Sequence, residues 1–277
     1  MNTNKNLYTI IYTTVIVVIV AALLAFVSQS LKSKQDANEK ADTISQMLTA
    51  AGYATKAELG KLGNAAVLDK YAEEIQEAFL IDLDGKEIQK LDISRENIQV
   101  YSPKELKRQN YNIKGGPNKS GEALLPIFIF KNGRTVVPIY GAGLWGPIWG
   151  YISFDQDAET LGGAYFDHES ETAGLGAKIK DDPSFQAEFV GEKAYFNDAN
   201  VFDIVKGGAP KEADGRSVQD NQIDAISGAT MTSKGLDAAI DTWLGAYAKY
   251  FLAKQHALGE NCCGEKEECC ENKTEEE

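Results

Sequence analysis

The feature that most constrains this chain is an apolar run near its N-terminus, from Leu7 to Val27. The run contains no charged residue, no glycine and no proline. A helix of about 20 residues, rising about 1.5 Å per residue, spans the roughly 30 Å hydrocarbon core of a bilayer. The apolar region of a cleaved signal peptide is only about 7–15 residues long, and the residues after Val27 are a poor cleavage sequence. We therefore predict an uncleaved, single-pass transmembrane helix over residues 7–27, preceded by a short tail of residues 1–6.

The charges that flank this helix do not decide its orientation. Lys5 precedes the apolar run, whereas Lys32, Lys34 and Lys40 follow it. Counting lysine and arginine alone favours a C-terminal part inside the cell, but long domains are translocated largely regardless of flanking charge. These residues leave the side of the membrane open.

The chain that follows the anchor is long enough for one sizeable domain, or for a domain with a smaller annex. The whole chain has 277 residues and a formal net charge of −13, from 41 acidic and 28 basic residues. An acidic surface repels the phosphate backbone of nucleic acids, so the charge argues against a nucleic-acid partner. The sequence has no G-x-G-x-x-G stretch that both follows a predicted strand and opens a predicted helix, so we predict no dinucleotide site.

Residues 28–121 are predicted to form a juxtamembrane helix and an N-terminal α+β part. Residues 33–56 are polar and alanine-rich, with apolar residues at helical spacing, and predict the juxtamembrane helix. A second helix is predicted over residues 71–78. A strand over residues 79–83 would turn at Asp84-Gly85 into a second strand, and residues 94–121 are predicted to be irregular.

Residues 122–256 are predicted to form a second part, built on an antiparallel sheet. A hairpin signature has strands at residues 125–130 and 135–140 around Asn132-Gly133. Further strands are predicted at residues 149–154 and 164–166. Apolar residues spaced by three and four over residues 233–252 predict an amphipathic helix packed on the sheet. The fold class predicted for the region after the anchor is therefore α+β.

The segment that carries the chemistry lies directly before this terminal helix and runs from Asp224 to Thr230. Its small residues leave the backbone accessible to a bulky group. Thr232 or Ser233 is predicted to cap the helix, and the start of a helix favours an anion. On these residues alone, the segment fits either an ordinary loop before a helix or a site for a phosphorylated group.

The same segment resembles the D-x-x-S-G-A-T flavinylation motif of the FMN-binding domain family, found in redox-pump subunits. In that family the final threonine carries FMN through a phosphoester bond, which a flavin transferase forms from FAD. The resemblance implies that Thr230 is the acceptor and that Asp224 serves in attachment rather than in electron transfer. It also implies that the approach to the acceptor is shaped by Ser227, Gly228 and Ala229. No catalytic residue is predicted.

A second segment, from His168 to Gly176, resembles the H-x-x-E-T-P-G-L-G stretch of the same family. Ala173 stands where proline is usual, a departure that bears on the rigidity of the loop. The resemblance implies that this turn meets the edge and face of the flavin ring through Glu171, Thr172, Gly174, Leu175 and Gly176. His168 is expected to be a surface or satisfied loop histidine, because the chain has only two histidines and no partner is spaced for a metal site.

A third segment, Gly141 to Gly146, is similar to the G-x-G-L-W stretch of the C-subunit family of Na⁺-translocating NADH:quinone reductases. It places Leu144 and Trp145 among the expected cofactor-binding residues. Trp145 either stacks on or flanks the flavin or is a core aromatic, and the sequence leaves both open. The specific resemblance covers roughly residues 140–240, whereas residues 28–120 match only loosely.

The resemblance implies an electron-transfer subunit with covalent FMN in a sodium-pumping NADH:quinone oxidoreductase of the bacterial inner membrane. It implies a flavin domain on the periplasmic side. The implied partners are iron–sulfur subunits, a second subunit with covalent FMN, and the flavin transferase. Two alternatives remain: the G subunit of an Rnf-type ferredoxin:NAD complex, with the same flavin chemistry, and a membrane-tethered binding or assembly protein without cofactor.

Residues 257–277 are predicted to form a separate acidic tail that contains cysteines. Cys262-Cys263 and Cys269-Cys270 are two vicinal pairs with five residues between them. This is not a standard zinc or iron–sulfur spacing. The composition favours a disordered tail, with soft-metal binding as the alternative.

Overall fold

The computed structural model describes residues 6–197, 200–207 and 220–264, with only the backbone described for residues 6, 7 and 259–264. The longest helix, α1 (Asn6–Ala50), contains the apolar run. An 18-residue window within it has a mean hydropathy of 2.9, and none of that window is buried against the rest of the chain. In length and composition, α1 can cross a membrane. The helix then continues without a break through the predicted juxtamembrane segment and ends at Ala50 rather than at Lys56.

A six-stranded antiparallel sheet forms the centre of the domain, in the order β2-β1-β3-β4-β5-β6. Its strands are β1 (Ile75–Ile81), β2 (Glu87–Lys90), β3 (Leu125–Phe130), β4 (Thr135–Ala142), β5 (Pro147–Phe154) and β6 (Leu161–His168). The predicted hairpins at Asp84-Gly85 and Asn132-Gly133 are confirmed. A small parallel pair joins β7 (Asp203–Val205) to β8 (Gln222–Asp224). The predicted α+β class with an antiparallel sheet is thus confirmed.

Within the described residues, six more helices surround the sheet. They are α2 (Lys56–Leu62), α3 (Asn64–Glu74), α4 (Pro103–Lys114), α5 (Lys178–Asp181), α6 (Pro183–Ala187) and α7 (Thr230–Gly264). Two hydrophobic cores lie on opposite faces of the sheet. On one face α7 buries Trp243, Tyr247 and Phe251, and on the other the C-terminal part of α1 buries Ile44 and Met47.

Side-chain alternation along β5 explains the two cores. Ile148 and Ile152 belong to the core beneath α7, whereas Tyr151 belongs to the core beneath α1. Successive residues of a strand point to opposite faces, so a strand buried on both sides has an almost continuous apolar sequence. Deleting either long helix would therefore expose one whole face of the sheet.

Several boundaries differ from the sequence predictions. The helix predicted over residues 71–78 ends at Glu74, because residues 75–81 pair with β3 and the ladder outweighs local helix propensity. The irregular segment predicted over residues 94–121 contains α4. The Ser102 amide donates to the Glu105 carboxylate at 2.8 Å and Pro103 occupies the first turn, both of which are helix-start signals.

Two further boundaries concern the C-terminal half. α7 begins at Thr230, so Thr232 and Ser233 lie inside its first turn and do not cap it. The same helix runs to Gly264, eight residues into the predicted tail of residues 257–277, while Cys269 and Cys270 lie outside the described residues. The sheet also crosses the predicted division between residues 28–121 and 122–256, because β1 pairs with β3.

The contacts of α1 show at which end of the sheet its apolar segment lies. Gln46 bonds to Asp167 near the end of β6, and one turn later the Ala50 carbonyl accepts from Ser153 near the end of β5. The apolar segment of α1 therefore extends past the end of the sheet where β5 begins and β6 stops. We call this the anchor end, and we call the opposite end, with the β3–β4 hairpin at Asn132-Gly133, the far end.

Candidate cofactor site at the anchor end

The segment before α7 makes a tight turn that presents Thr230. Gly228 adopts φ = +81°, a conformation that favours glycine, and it is exposed together with Ser227. The turn is held from inside, because the Ala229 amide donates to the Ile226 carbonyl at 3.0 Å. Ala229 is buried beneath the turn, whereas Thr230, the first residue of α7, is only half-buried. The hydroxyl-bearing residue thus stands at an open position on a fixed backbone.

The start of α7 is suited to an anion. The first amides of a helix have no acceptor within the helix, and its dipole places positive charge there. Ser233 satisfies a neighbouring group instead, since its hydroxyl accepts from the Ile226 amide at 3.1 Å. A phosphate joined to Thr230 would lie beside the first-turn amides.

Asp224 lies farther from the turn, at the end of β8, where it pairs with Val205. Its amide donates to the Glu188 carboxylate at 3.0 Å. The strand pair therefore fixes the backbone that leads into the turn, with the Asp224 side chain half-buried beside it.

The second motif forms the loop that follows β6. The Glu171 amide donates to Nδ1 of His168 at 3.1 Å, as expected for a satisfied loop histidine. Gly174 has φ = +74°, and Leu175 is 44% exposed. A side-chain carbon placed on Gly228 would lie 3.1 Å from Cδ2 of Leu175, so this loop reaches the turn before Thr230.

The carboxylate of Glu171, in the second motif, bonds to the third motif and to the first turn of α7, directly after the first motif. Oε1 accepts from the Trp145 amide at 2.9 Å, and Oε2 accepts from the Thr232 hydroxyl at 2.6 Å. Glu171 is only 7% exposed, whereas the neighbouring Thr172 and Gly174 are exposed. The structure thus brings together segments that are widely separated in the chain.

The third motif forms the turn between β4 and β5. Trp145 is 66% exposed and Leu144 is 50% exposed, so Trp145 is not a core aromatic. Ser170 strengthens the link between loops, because its hydroxyl donates to the Trp145 carbonyl at 3.0 Å. Both side chains of this turn are therefore available to a ligand or a partner.

Met231 was not predicted from the sequence. It follows Thr230 directly and is 58% exposed. Its apolar character directly after Thr230 is the signal that could have identified it. With Leu144, Trp145 and Leu175 it forms a set of exposed apolar side chains that we call the apolar rim.

These residues fit an FMN group. Exposed apolar side chains in one area are typical of a binding surface, and flavin rings present a flat apolar face. A side-chain carbon placed on Gly228 would meet only the flexible end of the Leu175 side chain. A phosphorylated group therefore has room to approach the backbone at Gly228. Among the described residues, no group of three or more His, Cys, Asp or Glu side chains could hold a metal ion.

The anchor helix is bonded to the same end of the sheet. Gln46 donates to the Asp167 carboxylate at 3.1 Å and accepts from Nε1 of Trp149 at 3.2 Å. Asp167 in turn accepts from the His168 amide at 2.7 Å and pairs with Lys180 at 2.8 Å. The loop that carries Glu171 is therefore connected to α1 through buried polar groups.

Comparison with known proteins agrees with this geometry. The family model described as "FMN-binding domain" matches residues 143–245, which include all three motifs from Gly143 onward. The C subunit of the Na⁺-translocating NADH-quinone reductase of Vibrio anguillarum is 34% identical over 141 residues, covering 49% of this chain and 52% of that protein. The corresponding protein of Vibrio parahaemolyticus is 27% identical over 243 residues, covering 83% and 88% of the two chains.

A solved relative decides the family. The crystal structure of the C subunit of the Na⁺-translocating NADH-quinone reductase from Parabacteroides distasonis is 31% identical and matches with a TM-score of 0.61. The match covers 80% of this chain and 96% of that one. The chain belongs to the C-subunit family of the Na⁺-translocating NADH-quinone reductases.

The chain spans about half the length of the Vibrio anguillarum protein that it matches. The structure of the Shewanella oneidensis family member, 24% identical with a TM-score of 0.56, supports the fold alone.

Proposed function

We propose that this chain is an electron-transfer subunit of a sodium-pumping NADH:quinone oxidoreductase and carries FMN through a phosphoester bond to Thr230. The observation that supports it most is the meeting of three separate motifs around a half-exposed threonine at the start of a long helix. When bound, FMN supplies the redox chemistry, and the protein supplies tethering, orientation and tuning. Each of those tasks has residues at the anchor end.

Tethering falls to Thr230. Its hydroxyl oxygen forms a bond to the FMN phosphorus of FAD, the phosphoanhydride bond breaks, AMP leaves, and the hydroxyl proton is lost. A flavin transferase catalyses this exchange, with Asp224 in attachment. Ser227, Gly228 and Ala229 keep the approach narrow and free of bulky side chains. The first-turn amides of α7 then neutralise part of the phosphate charge.

Orientation falls to the apolar rim. Its side chains can cover the faces of a flat ring while the phosphate is held at Thr230, and the 168–176 loop adds the backbone amide of the exposed Gly174, whereas Gly176 is buried against Glu171. Thr172, exposed on the same loop, is available to polar atoms of the ring or of the ribityl chain. A cofactor that cannot dissociate keeps a fixed distance to its redox neighbours, as a relay requires.

The anchor geometry supports a partner at the membrane. Gln46, level with the anchor end, is 19 residues beyond Val27, which corresponds to about 28 Å along a straight helix. The cofactor site therefore faces the bilayer rather than the aqueous phase above the domain. We propose iron–sulfur subunits and a second covalent-FMN subunit as partners, with the domain on the periplasmic side of the inner membrane.

The deciding experiment is intact-protein mass spectrometry of the full chain, co-expressed with a flavin transferase and denatured in acid. We expect a gain of one FMN less water, localised to the peptide that contains Thr230. Thr230→Ala should show no gain because the attacking oxygen is missing. Thr242→Ala, which removes a hydroxyl farther along the same helix, is the matched control and should be fully modified.

An unmodified wild-type chain would overturn the covalent-flavin proposal and favour a membrane-tethered binding protein. A modified Thr230→Ala chain would retain the cofactor but refute the acceptor. Co-purification of ferredoxin-linked subunits in place of the NADH:quinone reductase subunits would assign the chain to an Rnf-type complex.

A further inference from the structure

The Glu171 carboxylate occupies space that two motif glycines leave free. A side-chain carbon on Gly143 would lie 2.4 Å from Oε1 of Glu171, and one on Gly176 would lie 2.4 Å from Oε2. Such separations are far inside van der Waals contact, so neither position accepts a larger residue while the carboxylate is in place. The glycines of the second and third motifs therefore make room for a protein side chain.

Both oxygens of this carboxylate already have protein partners. The Trp145 amide is 2.9 Å from Oε1 and the Thr232 hydroxyl is 2.6 Å from Oε2. With 7% of its surface exposed, Glu171 points into the protein instead of outward between the exposed residues of its loop. Its geometry is that of a group that joins segments and not of a group that contacts a ligand.

We propose that Glu171 is a positioning residue, whose carboxylate holds the 143–145 turn against the first turn of α7 and thereby sets the apolar rim around Thr230. Two residues of the rim are fixed by these bonds. Trp145 donates its own amide to Glu171, and Met231 directly precedes Thr232, which donates its hydroxyl. A buried hydrogen bond to a charged group is stronger than a neutral one, so the clamp resists displacement of either segment. The proposal rests on the function proposed above, since the rim has a role only around a cofactor.

Thr232 allows the clamp to be tested without touching the cofactor site. It is 1% exposed, so no ligand contacts it, and its hydroxyl donates to Glu171. Thr232→Val keeps the shape and removes the donor, which leaves a buried carboxylate oxygen without its partner. Thr232→Ser keeps the donor and should restore wild-type behaviour. Thr242→Val is the matched control on the same helix, because the Thr242 hydroxyl bonds to the Ala238 carbonyl of its own helix.

The experiment compares these variants of the full chain, co-expressed with the transferase and purified in detergent. The measurements are the rate of flavinylation and the fluorescence quantum yield and reduction potential of the attached FMN. For Thr232→Val we expect flavinylation to slow by about tenfold or more, the factor that follows from losing one hydrogen bond to a charged group. We also expect a higher quantum yield, because Trp145 is no longer held against the ring. Thr232→Ser and Thr242→Val should match the wild type in every measurement.

Glu171→Gln is the second test, and it applies if Thr232→Val does not fold. Glutamine retains the shape of the side chain and an acceptor for the Trp145 amide, so we expect Trp145 to quench the FMN fluorescence of Glu171→Gln about as strongly as in the wild type. In Glu171→Ala this quenching should be lost. Two outcomes would overturn the positioning role while leaving the flavin function intact. One is a Thr232→Val chain with the wild-type rate, quantum yield and potential. The other is equal quenching of the FMN fluorescence in Glu171→Gln and Glu171→Ala. An unmodified wild-type chain would instead refute the function proposal itself.

Discussion

The two ends of the central sheet are built from the same strands but are closed in different ways. At the far end, polar groups pair across the turns: Arg134 lies 3.0 Å from Asp155, and Asn132 donates to the Ala51 carbonyl at 2.9 Å. At the anchor end, the turns expose apolar side chains and the polar group, Glu171, is buried beneath them. At that end a buried carboxylate therefore lies beneath exposed apolar side chains.

A glutamate at each end shows the contrast in detail. Both oxygens of Glu171 accept hydrogen bonds. Glu192, whose carbonyl accepts from Leu161 at the far end, has a buried Oε2 atom without a partner within the described part of the chain. Burial raises the pKa of Glu192 to about 7, with Asp220 and Glu188 adding to the effect. The buried Glu171 thus has a protein donor for each carboxylate oxygen, whereas the half-buried Glu192 has a buried oxygen with no donor among the described residues.

The largest expected effect on stability distinguishes two glycines of α7. Gly235 lies near the anchor end, and a side-chain carbon on it would be 2.2 Å from the Ala142 carbonyl oxygen, whereas one on Gly245 would meet nothing within 4 Å. Gly235→Ala should lower the free energy of unfolding by about 1–3 kcal/mol, the usual cost of overpacking. Gly245→Ala should raise it by up to ~1 kcal/mol through helix propensity. Denaturant titration of the two full-length variants checks this, and equal effects would contradict the close approach of α7 to β4.

A smaller effect concerns the pH dependence of stability at the far end. The folded protein holds a proton on Glu192 up to about pH 7, whereas the unfolded chain releases it near the ordinary pKa of 4.5. Between these values the folded state binds more protons, so this group makes stability fall as the pH rises from about 4.5 to about 7. Glu192→Gln should flatten that dependence and raise the melting temperature at pH 8 by a few degrees at most. A melting temperature that varies with pH as steeply as the wild type's would show that another group is responsible.

The smallest effect on stability is expected at exposed apolar residues of both ends. Leu175 in the apolar rim is 44% exposed and Val190 near the far end is 57% exposed. Leu175→Ser and Val190→Ser should each change the free energy of unfolding by no more than about 0.5 kcal/mol. Only Leu175→Ser should alter the fluorescence of the attached FMN. An equal response of the flavin to Val190→Ser, or none to Leu175→Ser, would remove Leu175 from the site.

Local patterns predicted most of the elements. The hairpins at Asp84-Gly85 and Asn132-Gly133, the strands on either side and the terminal helix follow from turn residues and apolar spacing. Among the helices that were not predicted from the sequence, α4 was also encoded locally, in Ser102, Pro103 and Glu105, but its polar composition obscured the signal. The first residues of β1 were misassigned because their strand character comes from pairing with β3, which no local pattern contains.

The sequence by itself determined that this protein has an anchor, an antiparallel sheet and a family motif ending in Thr230, because periodicity and short motifs are properties of neighbouring residues. Only the tertiary structure decided that Glu171 points inward, that Trp145 is exposed and that the site faces the anchor. Those facts depend on contacts between distant parts of the chain: 61 residues separate Glu171 from Thr232, and 121 separate Gln46 from Asp167. Contacts of that range are set by how the two long helices pack on opposite faces of one sheet, which hydrophobic burial enforces and no segment specifies alone.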